Sequence, residues 1–391
     1  MKEPGLDGSF WPSERQKLLL RTAFCGNEAS AEAWRRLRAQ LDLDQLELGS
    51  FPLLPLVHRQ LDRLGIDDVY LPRLAGIRRR TWYLNHLELG ELAPALRAFD
   101  DRGVELVVVG GWELLAHYHG DAGLRPVDGL DVMVHPRQAD AARRALADAG
   151  YDESRGAMGG RARFTASNRR TCTVHRRLAR EYSVPERGVE LEDLWEETFE
   201  MPLGKTTVRA LGPTDELVRI CLDGARAGTL PNVLWVADAL AVVQADTAAI
   251  DWERLVRHAR RLRATLRLRD TLRYLRRELD APVPDDAIRE LEAIRARSRE
   301  LLAHREAGRR RRLVGTSPAT ATRFLHVTSG MPLSAALGTL PTFLRDELGL
   351  DRRAHVPLEV VRRVAAVARR DGARRAHPSP TPAGRSTVEV E

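Results

Sequence analysis

The chain has 391 residues, of which 43% are hydrophobic and 30% are charged, so it is long and apolar enough to bury the cores of two or three packed domains. It contains no run of about 18 apolar residues, the length that a membrane-spanning helix needs. Its first residues also lack the charged and apolar regions of a signal peptide. We therefore expect a cytoplasmic protein that does not act at a membrane.

The net charge of +7 favours anionic ligands such as phosphates. Only three of the 62 basic residues are lysine, and few aromatic residues lie between the arginines. Because single-stranded nucleic acid is bound on stacked aromatic rings, we interpret Arg309–Arg312 as a solvated helix face and do not expect a nucleic-acid partner. The three cysteines, Cys25, Cys172 and Cys221, lack the spacing of metal or redox motifs and are predicted to be free thiols.

Residues 1–102 are predicted to form an N-terminal helical region, because apolar residues recur there at three- and four-residue spacing. The last helix of this region has the clearest pattern. Its apolar face carries Leu89, Leu92 and Phe99, and Gly103 follows at the position where a left-handed residue ends a helix.

Residues 103–211 are predicted to form an α/β core. The apolar run 104–109 is typical of a buried strand; a Gly-Gly pair and a helix to about Tyr118 follow it. A second strand covers 130–134, and a helix runs from Pro136 to Gly150. Further strands are expected near 162–165, 171–175 and 206–210, which predicts a small mixed sheet.

Residues 212–371 return to a helical pattern and are predicted to form a C-terminal helical region. We expect Thr214, with the acidic residues after it, to cap one helix and Asp251 to cap another. The proline-rich residues 372–391 are predicted to be a disordered tail. The expected fold class is therefore α+β, with a small mixed sheet flanked by helical regions on both sides.

Two features of the core could carry chemistry. Gly110 and Gly111, between a strand and a helix, could present backbone N–H groups to a phosphate, although such a turn also serves as a simple connection. Asp131 lies at the start of an otherwise apolar strand, where a carboxylate is costly to bury without a partner. We interpret Asp131 as a metal ligand, or else as a residue paired with Arg125 or exposed at the sheet rim.

The residues that carry a family resemblance are Val109-Gly110-Gly111, then Gly123-Leu124-Arg125-Pro126, Gly129-Leu130-Asp131-Val132-Met133-Val134 and Ala149-Gly150-Tyr151. Together they resemble the uncharacterised nucleotidyltransferase family, a branch of the DNA polymerase β-like nucleotidyltransferase superfamily. The similarity covers roughly residues 15–350, and its most specific part is the Gly-Leu-Arg-Pro loop with the strand that follows.

The resemblance implies two aspartates, separated by one residue on one strand, that hold two divalent ions for transfer of a nucleoside monophosphate. This sequence retains Asp131 as the second aspartate, but Gly129 replaces the first and Thr173 replaces a third acidic residue. The predicted sites are a catalytic pair, Asp131 and His175; a nucleotide-binding set, Gly110, Gly111 and Arg125; and Mg²⁺ or Mn²⁺ ligands, Asp131 and Asp128. Glu113 is a further candidate carboxylate, and Asp238 a buried residue that ties helices together.

Two functions are expected as alternatives. The first is an enzyme that transfers a nucleoside monophosphate from a nucleoside triphosphate to an unidentified acceptor, either a small molecule or a protein. The second is a catalytically degenerate binding or scaffold protein, for which Gly129→Asp is expected to create or increase metal binding.

Overall fold

A computed structural model describes residues 11–154, 161–176, 178, 189–224 and 233–296, with scattered single residues between 298 and 357. The basic run Arg309–Arg312 and the predicted tail, residues 372–391, lie outside the described residues. All three cysteines are buried free thiols, as predicted.

The N-terminal residues form helices, and the first is fixed by a capping box. Ser13 accepts a hydrogen bond from the backbone N–H of Gln16, whose side chain accepts one from the backbone of Ser13. The fourth helix has 31 residues, and Gly103 follows it at φ +61°, which confirms the predicted left-handed stop. The helices are α1 (Glu14–Phe24), α2 (Asn27–Arg38), α3 (Leu54–Arg63) and α4 (Leu71–Asp101).

The core is one mixed sheet of seven strands in the order β3-β4-β5-β2-β1-β7-β6. The pairs β1–β7 and β2–β5 are parallel, and the other neighbours are antiparallel. The strands are β1 (Leu106–Val108), β2 (Leu130–Val134), β3 (Tyr151–Glu153), β4 (Arg161–Ala166), β5 (Thr171–His175), β6 (Phe199–Leu203) and β7 (Thr206–Ala210). Between them lie α5 (Gly111–Glu113), which continues as a π-helical turn over Leu114–His119, then α6 (Ala139–Asp148) and α7 (Val189–Glu196).

The predicted α+β class is confirmed, but the sheet has two more strands than the sequence suggested. Both extra strands, β3 and β6, lie at the ends of the strand order. Edge strands commonly carry charges or proline, which break the apolar pattern used to recognise a strand. Here Asp152 and Glu153 are the exposed residues of β3, and β6 contains Pro202.

As far as residue 296, the described chain then returns to helices, as predicted; most of the remaining predicted helical region, up to residue 371, lies outside the described residues. Asp251 accepts a hydrogen bond from the backbone N–H of Arg254 and caps α10, as expected. The predicted cap at Thr214 is wrong, because α8 already begins at Pro213 and the Thr214 hydroxyl accepts from the backbone N–H of Asp251 instead. The helices are α8 (Pro213–Gly224), α9 (Leu234–Ala245), α10 (Trp252–Arg261), α11 (Thr265–Leu279) and α12 (Asp285–Ala293).

The sheet separates two apolar clusters. On one face, Val108, Val132 and Val174 pack against α6 and the C-terminal half of α4. On the other face, Val107 and Met133 belong to a cluster that includes residues of α1, α3 and α8 to α12. Within the described part of the chain, no helix has both the length and the apolar character needed to cross a membrane.

Candidate functional site

The first site residues lie on the neighbouring parallel strands β2 and β5. The register pairs Asp131 with Thr173 and Met133 with His175. Because side chains alternate between the two faces of a sheet, Asp131, Thr173 and His175 share the face of Met133. The Nε2 atom of His175 lies 2.9 Å from Oδ1 of Asp131. The structure therefore brings together the two residues predicted to be catalytic.

Asp131 is held as a carboxylate that solvent can reach. Its side chain is 39% exposed, against 17% for His175. Burial acts to raise the pKa of Asp131, but the hydrogen bond and charge of His175 oppose it. Further contributions from Arg219 and Thr173 also lower this pKa, and the net result lies below the ordinary value. Asp131 is therefore ionised at neutral pH, and its pairing partner is His175 rather than Arg125.

The glycine turn lies directly beside Asp131. The backbone N–H of Val109 donates to the carbonyl oxygen of Asp131 over 3.0 Å, and Gly110 follows at φ +76°. At Gly111 a Cβ atom would lie 2.8 Å from Cγ1 of Val127, so only glycine fits without a shift of that side chain. Both glycines are thus required by local geometry at the point where β1 meets α5.

Arg219 of α8 is a site residue that the sequence reading missed. A Cβ atom on Gly110 would lie 3.4 Å from its guanidinium group, so this group lies against the turn. Arg219 is largely buried and pairs with Glu216, which is fully buried one turn earlier in the helix. A Glu and an Arg three residues apart within an apolar helix are a signal for a buried ion pair that could have identified it.

Glu113 lies beneath the turn and does not join Asp131 as a second ligand. Its side chain is fully buried, and neither carboxyl oxygen has a hydrogen-bond donor among the described residues. Burial and the neighbouring charge of Glu216 raise the pKa of Glu113 well above its ordinary value. Burial thus favours the neutral, protonated form of Glu113 next to the buried pair of Glu216 and Arg219.

Arg125 is engaged by a buried carboxylate of α9. Its Nε and Nη2 atoms donate to the two carboxylate oxygens of Asp238 over 2.7 and 2.9 Å, and its Nη1 atom donates to the carbonyl oxygen of Pro126. Although burial acts to raise the pKa of Asp238, Arg125 and His119 lower it to about 2. Asp238 thus ties α9 to the loop before β2, as expected, and the role of Arg125 on a phosphate stays a prediction.

Asp128 is exposed in the loop that precedes β2. Because it lies outside the strand, the alternation of side chains along β2 does not determine its direction. Over the residues that the structure describes, no group of three or more His, Cys, Asp and Glu side chains could hold a metal ion. In that part of the chain, Asp131 thus has no two further ligands of these types beside it.

The backbone conformation and the surroundings of Gly129 favour glycine at this position. It has φ +75°, and a Cβ atom there would lie 2.6 Å from the carbonyl oxygen of Thr171 and 2.3 Å from its hydroxyl. An aspartate therefore cannot enter without moving backbone, which opposes the expectation that Gly129→Asp creates metal binding; that expectation stays a prediction. Thr173 stands where the resemblance implies a third acidic residue. It is paired with Asp131 in the strand register and supplies a hydroxyl group instead of a carboxylate.

Comparison with known families supports the resemblance seen in the sequence. The family described as uncharacterised nucleotidyltransferase matches residues 52–280, which include β1 to β7 and the helices from α3 to α11. No curated protein and no solved structure matches the chain.

Proposed function

Because the chain belongs to the uncharacterised nucleotidyltransferase family, we propose that it transfers a nucleoside monophosphate from a nucleoside triphosphate to an acceptor hydroxyl or phosphate. The observation that carries this proposal is the position of the ionised Asp131 beside the glycine turn, with the Val109 N–H donating to its carbonyl oxygen over 3.0 Å. A phosphate placed at Gly110 and Gly111 would lie next to the solvent-accessible carboxylate of Asp131.

Asp131 would hold a Mg²⁺ or Mn²⁺ ion together with phosphate oxygens, which is the usual mode of Mg²⁺ binding in proteins. When bound, such an ion neutralises charge on the transferring phosphate. His175 is a positioning residue, because its hydrogen bond fixes one oxygen of Asp131 and helps keep the group ionised. The guanidinium group of Arg219, whose charge is balanced by Glu216, lies against Gly110 and would face a phosphate bound there.

Isothermal titration of ATP, GTP, CTP and UTP, each with millimolar Mg²⁺ or Mn²⁺, tests the binding step. We expect at least one triphosphate to bind and Asp131→Asn to weaken that binding by tenfold or more, which corresponds to about 1.4 kcal/mol. Asp152→Asn is the matched control, because Asp152 is an exposed residue of the edge strand β3. The absence of binding by all four triphosphates would contradict the proposal.

A second candidate is triphosphate binding without transfer, which Gly129 and Thr173 favour because they remove two carboxylates of the family pattern. Pyrophosphate release across a panel of hydroxyl and phosphate acceptors separates the two candidates. Release that is lost in Asp131→Ala supports transfer. Binding that depends on Asp131, with no release at any acceptor, supports the second candidate.

A further inference from the structure

A groove of about 780 Å³ lies away from the residues of the proposed nucleotide site. It is lined by the first half of α4, by His58 of α3 and by the loop Gly120–Gly123. Its volume falls in the range of small-molecule sites, which is roughly 300–1,000 Å³. None of its lining residues belongs to the set Gly110, Gly111, Asp131 and His175.

One wall of the groove is held rigidly. Arg78 donates to Asp121 over 2.5 Å, and the backbone N–H of Gly123 donates to the same carboxylate over 2.7 Å. A Cβ atom on Gly123 would lie 3.0 Å from Cγ of Arg78, so the loop packs closely on α4. The amide of Asn85 also donates to the carbonyl oxygen of Ala122 over 2.6 Å. This wall is therefore formed before any ligand arrives.

Three side chains of the groove keep groups available to a ligand. Arg79 is exposed and has no ion pair within the part of the chain that the structure describes, whereas its neighbour Arg78 is neutralised by Asp121. Trp82 is 47% exposed, and its ring lies 3.8 Å from that of His86. His58 has a buried Nδ1 atom without a hydrogen-bond partner among the described residues.

The charges around the groove favour an anion. Burial and the nearby charge of Arg78 lower the pKa of His58, so its ring is neutral at pH 7 and can donate or accept a hydrogen bond. Asp121 is the acidic residue of the lining, and it is already paired with Arg78. The positive charge of Arg79 therefore remains uncompensated beside the indole of Trp82.

We propose that this groove is a second ligand site, which binds a small molecule carrying an anionic group next to a flat ring. The guanidinium group of Arg79 binds the anionic group, and the indole of Trp82 stacks on the ring. His58 supplies a neutral hydrogen bond at the inner wall. The proposal does not depend on nucleotidyl transfer, because it uses neither the glycine turn nor Asp131.

Isothermal titration of the full chain with adenosine 5′-monophosphate as the probe, in EDTA, tests the proposal without the metal-dependent site. Inorganic phosphate and adenosine are titrated separately as the two halves of the probe. We expect the monophosphate to bind more tightly than either half. Arg79→Gln should weaken it about tenfold, the loss of one charge-assisted hydrogen bond, and Trp82→Leu should weaken it several-fold.

Arg80→Gln is the matched control, because Arg80 is the exposed neighbour of Arg79 and does not line the groove. It should leave the affinity unchanged, and thermal melting verifies that all three variants fold. Equal losses in Arg79→Gln and Arg80→Gln would show diffuse charge attraction and overturn the proposal. No binding of the monophosphate, or binding that neither Arg79→Gln nor Trp82→Leu weakens, would also overturn it. Loss of triphosphate binding in Asp131→Asn leaves this result unaffected, so the two proposals fail separately.

Discussion

The carboxyl group of Glu113 shows how one buried acid can make stability depend on pH. Folding raises its pKa through burial and the neighbouring charge of Glu216, so the folded chain holds this proton more tightly than the unfolded chain does. Above the unfolded pKa, the unfolded chain loses the proton first, and stability falls as pH rises toward the folded pKa. Below the unfolded value, both states are protonated and this penalty disappears.

Glu113→Gln should therefore raise the melting temperature at pH 8, because glutamine has nearly the shape of the protonated acid but no titrating proton. The gain should shrink toward pH 5, with a slope of at most about 1.4 kcal/mol per pH unit for one proton. Glu105→Gln is the control, since Glu105 is exposed. Melting curves between pH 5 and 8 measure the effect, and an equal gain at every pH would contradict it.

Gly129 allows a second test at the residue scale. Gly129→Ala must adopt φ near +75° and also collide with the backbone carbonyl of Thr171. Gly150 has φ +79° but open space around its Cβ position, so Gly150→Ala carries the backbone strain alone. Urea denaturation should show that Gly129→Ala loses more than about 1 kcal/mol and clearly more than Gly150→Ala does. Equal losses of unfolding free energy in the two variants would mean that the Thr171 carbonyl group moves aside at little cost.

Single site residues can be predicted from the sequence where they belong to a local pattern or a family motif. Asp131 and His175 were predicted together from the resemblance, and the structure places them 2.9 Å apart. The approach of Arg219 to Gly110 could not be predicted in the same way, because it depends on how α8 packs against a strand end about a hundred residues earlier in the chain. The blocked space at Gly129 likewise depends on the register between β2 and β5.

Among the elements, the pair of Arg125 and Asp238 is the main polar tie between the loop before β2 and α9. The two side chains are 10% and 5% exposed and meet through two hydrogen bonds. Removing one partner of such a pair leaves an uncompensated buried charge, which typically costs about 3–5 kcal/mol. Replacing both partners by apolar groups removes that penalty.

Arg125→Met should thus lower the free energy of unfolding by about 3–5 kcal/mol, and Arg125→Met with Asp238→Leu should recover much of this loss. Urea denaturation of the single and double variants completes the double-mutant cycle. Arg97→Met on the exposed side of α4 provides the control for removal of an arginine. A double variant that is less stable than both single variants would contradict this account, and His119, which also contacts Asp238, would then be the residue left unpaired.

The elements themselves were predicted wherever one periodicity persists over several residues. The inner strands β1, β2 and β5 are short apolar runs with residues buried on both faces, so their composition identifies them. The edge strands β3 and β6 give no such signal, because half of their residues face solvent. The predicted start of α8 is wrong because threonine is a common helix cap. Here the hydroxyl of the buried Thr214 accepts a hydrogen bond from the backbone N–H of Asp251 instead.

For the whole molecule, the helical regions that precede and follow the sheet in the sequence share one apolar cluster on one face of the sheet. Leu19 of α1 and Leu272 of α11 are both fully buried in it. Arg21 also donates to the carbonyl oxygen of Glu278, 257 residues away in the sequence. Periodicity shows which face of a helix is apolar but not which distant helix covers it, so this pairing could not be predicted from the sequence.

Leu19→Ala and Leu272→Ala should each lower the free energy of unfolding by about 2–5 kcal/mol, and both should shift the same transition. Tryptophan fluorescence and circular dichroism in urea should therefore give coincident curves for each variant. Leu87→Ala is the control, because Leu87 is 41% exposed. Two separated transitions, of which Leu19→Ala moves only one, would mean that the two helical regions unfold independently.

The side-chain amide of Asn85 connects the wall of the groove to the glycine turn. It donates to the carbonyl oxygens of Ala122 and Arg125 and accepts from the backbone N–H of Val127, whose side chain in turn fills the space over Gly111. The wall of the groove and the support of the glycine turn are thus one stretch of backbone, which Asn85 holds through three hydrogen bonds. A substitution that changes the shape of the groove will also affect the glycine turn, and the reverse. The two sites are therefore expected to diverge together rather than separately.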